Sequence, residues 1–186
     1  MTKKVVLTNG RLQLNKRTVN NFFLVNMNKQ IKVTSGTGKG ETKLAAFDAA
    51  LFDAGIANYN LIYLSSVIPE NHEPVIEKVN YNNQEFGYRL YVVMSTQTEN
   101  EIGKEAWAGL GWVTTKEGVK KGLFVEHHGS NKEEVTSLIK ESLTSMVKYR
   151  EDSYGEIEYK IVGVKCESKP VCAVVAAVYK SEAWQN

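Results

Sequence analysis

The chain has 186 residues, 42% of them hydrophobic, a length that one domain with a single core accommodates. Its 23 basic and 21 acidic residues leave a formal charge of +2 with no concentrated basic stripe, which argues against nucleic acid and anionic membrane surfaces as partners. There is no apolar run long enough for a transmembrane helix or a signal peptide, and two cysteines, Cys166 and Cys172, do not make a secreted disulfide framework, so a soluble cytoplasmic protein with free thiols is expected.

In chain order, residues 1–29 are polar and asparagine-rich apart from Phe22 to Val25, and read as an N-terminal arm with a short strand. Residues 30–186 read as a single domain. A strand over Gln30 to Val33 leads into Ser35-Gly36-Thr37-Gly38-Lys39-Gly40, expected to be a flexible loop capping a helix. That helix carries Leu44, Phe47, Leu51 and Phe52 at three- and four-residue spacing and is closed by Gly55. Asn60 to Pro69 is apolar enough for one buried strand stopped by the proline. Further strands are predicted over Tyr88 to Ser95, Ala106 to Thr115 and Gly122 to His128. Ser130 and Glu133 fit a capping box opening a long helix with Val135, Leu138, Ile139, Leu143, Met146 and Val147 on its apolar side. Two closing strands, Ile157 to Cys166 and Val171 to Tyr179, are expected to form a hairpin around Glu167 to Pro170. Two helices and about seven strands predict a mixed α/β protein with largely antiparallel sheets.

Several residue groups invite a chemical reading. The glycine-rich stretch lacks the terminal Gly-Lys-Ser/Thr of a phosphate loop, and Glu41 would repel a phosphate. His127 and His128, as strand neighbours, point to opposite faces and cannot share a metal ion; no metal is expected. Asp48 stands on the apolar face of the first helix, where a carboxylate requires a partner. An internal ion pair, a rotated helix and a bound cation all satisfy it. Glu126 closes an apolar strand on the same face as Phe124, so it is either a solvated strand end or a partly enclosed proton carrier.

The uninterrupted run from Gly40 through Asp48 and Leu51, Ala54-Gly55-Ile56-Ala57-Asn58-Tyr59-Asn60, and Leu64-Ser65-Ser66-Val67-Ile68-Pro69 closely resembles the pyruvoyl-dependent arginine decarboxylases. Gly109-Leu110-Gly111-Trp112 and Gly122-Leu123-Phe124-Val125-Glu126 resemble that family's glycine-rich strand and acidic strand end. The resemblance extends from about Val33 to Lys180.

The motif has a chemical logic. Ser66 Oγ attacks the carbonyl carbon of Ser65, converting the peptide to an ester. β-Elimination releases residues 1–65 and leaves dehydroalanine, which hydrolyses to a pyruvoyl group and ammonia. The resulting ketone takes up the substrate amine and serves as the electron sink when carbon dioxide departs, so no dissociable cofactor is needed. The resemblance implies decarboxylation of L-arginine to agmatine, Asn60 beside the cleavage site, and Glu126 as the proton donor to the decarboxylated carbon. On this reading replacing Glu126 by Gln leaves self-cleavage intact. Asp48 and Leu51 receive the substrate side chain, Ser65 contributes to the same pocket, and Ala57 and Tyr59 line it where this chain departs from the family's usual residues. Also implied are a four-layer αββα sandwich and a homotrimer of cleaved protomers with active sites between subunits. A pyruvoyl enzyme for another amino acid, or an uncleaved, non-catalytic relative, fits the same sequence.

Overall fold

The computed structural model describes residues 29–80 and 82–185; apart from Lys29, the expected N-terminal arm and its short strand lie outside them. The described residues form β1 (Lys29–Lys39), α1 (Lys43–Ala54), β2 (Asn60–Tyr63), β3 (Val67–Ile68), β4 (His72–Ile76), β5 (Arg89–Glu99), β6 (Glu105–Thr114), β7 (Gly122–Gly129), α2 (Lys132–Met146), β8 (Glu158–Lys165) and β9 (Val171–Glu182). Five strands make one sheet in the order β2-β5-β9-β1-β4, and four make a second in the order β3-β7-β6-β8. Antiparallel pairs dominate, with parallel pairing only of β1 with β4 and β2 with β5.

The side-chain alternation of a strand explains how these sheets stack. Along β9, Val171, Ala173, Val175 and Ala177 enter a core between the two sheets, while Cys172, Val174 and Ala176 enter a second core beneath α1. This strand is therefore buried on both faces and reads as an unbroken apolar run. On β6, Ala106, Ala108, Leu110 and Trp112 face the first sheet. Its opposite face meets α2, whose Val135, Ile139 and Leu143 fill a third core with Val113, Leu123 and Val125. Helix, sheet, sheet and helix thus form the four-layer αββα sandwich.

Glycines decide how each helix seats. Gly36, Gly38 and Gly40 line one face of the chain at period two, and a Cβ on any of them would come within 3.0 Å of backbone atoms of α1. The glycine-rich stretch is therefore no flexible loop: β1 runs through it to Lys39, and its bare face is the bed of the helix. Gly109 and Gly111 instead leave room on β6 for side chains of α2, Val135 and Ile139. Because α1 lies so close, its inward face consists of Ala46, Ala50, Leu51 and Ala54. The expected orientation is corrected accordingly: Leu44 is 76% and Phe52 56% exposed, and Asp48 is exposed beside them. Thr42 caps α1, accepting from the Ala45 N–H at 3.1 Å, and Gly55 ends it at a φ of 77°.

Three other expectations change. Asn131, rather than Ser130, caps α2 by accepting from the Glu134 N–H at 2.8 Å, and Glu134 bonds back to the Ser130 N–H at 3.2 Å. The segment Glu167 to Pro170 joins β8 in one sheet to β9 in the other, so it crosses the sandwich and is not a hairpin turn. Asn60 to Pro69 is likewise not one buried strand: β2 lies on the edge of the five-stranded sheet and β3 on the edge of the four-stranded sheet. The chain changes sheet at Leu64-Ser65-Ser66.

Candidate active site

The crossing places two serines where no ladder confines them on both sides. On the near side the Leu64 N–H bonds to the Val92 carbonyl at 2.9 Å; on the far side the Phe124 N–H bonds to the Ser66 carbonyl at 2.9 Å. Between these anchors the Val67 N–H donates to the Ser65 carbonyl oxygen at 2.8 Å, spanning Ser66 in a three-residue turn. That carbonyl belongs to the Ser65–Ser66 peptide bond. It is polarised by its donor while the Ser66 hydroxyl stands one residue away.

The register of β3 against β7 brings Glu126 to that hydroxyl. Val67 lies opposite Leu123 and Ile68 opposite Gly122, so Ser66 falls beside Phe124, and Glu126 projects on the same side two residues along. Ser66 Oγ lies 2.7 Å from both Glu126 Oε1 and Oε2. An O–H shared by the two oxygens of a carboxylate is a charge-assisted bond. It also points the hydroxyl proton at a carboxylate. Tyr179, on β9 of the opposite sheet, donates its hydroxyl to the Val67 carbonyl at 2.9 Å. Its ring meets Phe124 edge-on with centroids 6.3 Å apart. Burial pushes the phenol well above its ordinary range, and the nearby charge of Glu126 adds to the rise.

Of the sequence candidates, the structure brings Ser65, Ser66 and Glu126 together. It puts the others elsewhere in the chain. Asn60 starts β2, exposed, and donates Nδ2–H to the Gly87 carbonyl at 2.6 Å; the three residue steps to Tyr63 alone span about 10 Å, with Ser66 further on. Asp48 is exposed on the outer face of α1. Leu51 and Ala57 are buried in the core beneath α1, and Tyr59 donates its hydroxyl to Glu85 at 2.9 Å. A cavity lined by Tyr59, Glu85, Lys32 and Tyr179 includes neither Ser66 nor Glu126.

Asp53 and His127 have structural partners. Asp53 accepts from the Thr37 N–H at 2.9 Å and pairs with Lys78 at 3.1 Å, and the first of these does most to hold its carboxyl below the usual range. His127 lies on the α2 side, 2.8 Å from Ser142 Oγ, while His128 is exposed. Among the described residues no three His, Cys, Asp or Glu are grouped to hold a metal ion. Sequence reasoning missed Tyr179 and the N–H groups of Val67 and Phe124. Tyr179 was legible as the next member of the inward row Val175, Ala177; the backbone donors had no sequence signal, because every residue but proline carries one.

Residues 30–183 match the family described as pyruvoyl-dependent arginine decarboxylase. The chain belongs to that family. Its relatives include the pyruvoyl-dependent arginine decarboxylase of Pyrococcus furiosus, 34% identical over 151 residues, which are 81% of this chain and 94% of that protein. The namesake from Thermoplasma volcanium is 36% identical over 99 residues, 53% of this chain and 54% of that one. Among solved structures, a pyruvoyl-dependent histidine decarboxylase aligns with a TM-score of 0.38 at 14% identity, covering 54% of this chain and 57% of the other.

Proposed function

We propose that this chain cleaves itself between Ser65 and Ser66, converts Ser66 into a pyruvoyl group, and decarboxylates L-arginine to agmatine and carbon dioxide in the cytoplasm. The observation that carries the reading is the Ser66 hydroxyl held at 2.7 Å by both oxygens of Glu126, beside a scissile carbonyl that already accepts an N–H bond. The residues present fit the group: a serine at a chain crossing between sheets, an acid on its hydroxyl, and a donor on the carbonyl it attacks.

In the uncut chain Glu126 takes the Ser66 proton as Oγ adds to the Ser65 carbonyl carbon, and the Val67 N–H steadies the charge that gathers on the carbonyl oxygen. The pyruvoyl group supplies the electron sink for loss of carbon dioxide. During turnover Glu126 holds the proton that goes to the substrate carbon, and the Phe124 N–H remains on the residue 66 carbonyl, steadying negative charge there. No dissociable cofactor takes part.

Substrate recognition falls to Asp48 and Tyr59, with the buried Leu51 and Ala57 shaping the helix and turn that carry them. An exposed Asp48 flanked by apolar Leu44 and Phe52 offers a carboxylate to a guanidinium on a surface that a neighbouring protomer can dry. Tyr63 and Val67 are 60% and 55% exposed, so the Ser66 end also presents apolar surface. These features support a homotrimer in which the Asp48 side of one protomer closes over the Ser66–Glu126 side of the next. Residues 30–186 act as one domain that remains assembled after the cut.

The test is intact mass followed by carbon dioxide release from arginine, lysine, ornithine and histidine. A 1–65 fragment, a 66–186 fragment blocked at its start, and a preference for arginine are expected. A chain that stays whole would identify a non-catalytic relative, and a preference for another amino acid would overturn the substrate alone.

A further inference from the structure

Cleavage poses a mechanical problem: the reactive residue becomes a chain end. Before the cut, residue 66 is held from both sides. Afterwards Leu64 and Ser65 belong to the smaller fragment, and their hydrogen bonds to Val92 and Val67 no longer restrain the new end through the chain. What remains is the bond from the Phe124 N–H, a β3 of only two residues, and the Tyr179 hydroxyl on the Val67 carbonyl at 2.9 Å. The Val67 side chain contributes little, being 55% exposed.

Resting on the self-cleavage reading, we propose that Tyr179 is a positioning residue: its hydroxyl, reaching from the five-stranded sheet, fixes the new chain end against Glu126 in the four-stranded sheet. Two observations beside the bond support this. The Tyr179 ring is braced edge-on against Phe124, whose own N–H holds the residue 66 carbonyl, so ring and hydroxyl act on consecutive carbonyls of one segment. Burial and the charge of Glu126 both keep the phenol protonated, so it remains a donor throughout the working pH range.

Tyr179→Phe keeps the ring and removes the donor. The native chain and the variant are compared by melting temperature, by a time course of cleavage on denaturing gels from freshly synthesised protein, and by kcat and KM for arginine after cleavage. The expected result is a melting temperature close to native, with cleavage and kcat each slowed about five- to tenfold and KM unchanged, the loss of roughly one hydrogen bond in the reacting geometry. Native-like cleavage and kcat in the variant would overturn the proposal. So would a lower melting temperature with unchanged kcat per cleaved chain, or failure to fold, because either makes the hydroxyl a structural tie. If the native chain itself does not cleave, the self-cleavage reading fails first, and the comparison separates the two.

Discussion

The Ser66–Glu126 contact places one residue pair where the proposed chemistry uses it twice. Glu126 was legible as an inward strand end, because it shares a face with Phe124, but sequence alone assigned it only to turnover. With its carboxylate on Ser66 Oγ in the uncut chain, it is also placed to take the Ser66 proton in the proposed cleavage. Glu126→Gln is therefore expected to cleave more slowly than native and, once cleaved, to lose about 10²–10⁴-fold in turnover; gel time courses and single-turnover assays measure the two separately. Ser66→Ala removes the nucleophile and is expected to run as one folded chain with no decarboxylation. Residual activity in that uncut variant would refute the pyruvoyl mechanism. Asp48 was harder to read. Its neighbours Leu44 and Phe52 look like core residues by hydrophobicity, yet the helix buries mainly alanines, because glycines opposite draw its backbone in closely.

The same backbone proximity governs the elements. Strands β5, β6, β7 and β9 were predictable to within a few residues from their apolar runs, but the glycine stretch read as a loop, since turn residues and a helix bed share one composition. Gly38→Ala tests the distinction. A loop accepts a methyl group there, whereas a Cβ within 3.0 Å of Ala46 and Ala50 backbone forces α1 outward and is expected to destabilise by about 1–3 kcal/mol, measured by denaturant unfolding. Sheet membership was equally hidden, because a strand has the same alternation whichever sheet it joins; the β8 to β9 crossing and the split at Ser65 needed long-range pairing to appear. On β7, burial holds the His127 imidazole below its ordinary value of 6.5, with His128 acting the same way and Glu126 opposing. The unfolded chain thus binds this proton first as pH falls. Its contribution to stability is complete above pH 6.5 and lost below it. His127→Gln is expected to flatten that part of the melting-temperature profile between pH 7 and 5, and an unchanged profile would assign the acid sensitivity elsewhere.

At the scale of the whole molecule, the two halves of the proposed site lie on different surfaces of the chain. Ser66 and Glu126 sit at the crossing to the four-stranded sheet, while Asp48 faces outward on α1 and Asn60 opens β2 at its far end. A strand cannot bend Asn60 back to Ser66, so a site that uses both is completed by a second copy. In the proposed homotrimer such an interface is heterologous: each protomer gives its Asp48 side to one neighbour and its Ser66 side to the other. Mixing experiments can detect this. Asp48→Asn chains keep Ser66 and Glu126 but lose the guanidinium partner; Ser66→Ala chains keep Asp48 but cannot form the reactive group. Each alone is expected to be nearly inactive on arginine. Coexpressed at equal levels, they should form mixed rings in which about a quarter of the interfaces join an intact Asp48 to an intact Ser66, restoring about a quarter of native turnover. If both residues serve a site within one protomer, no mixed ring contains an intact site, and activity stays at the level of the single variants.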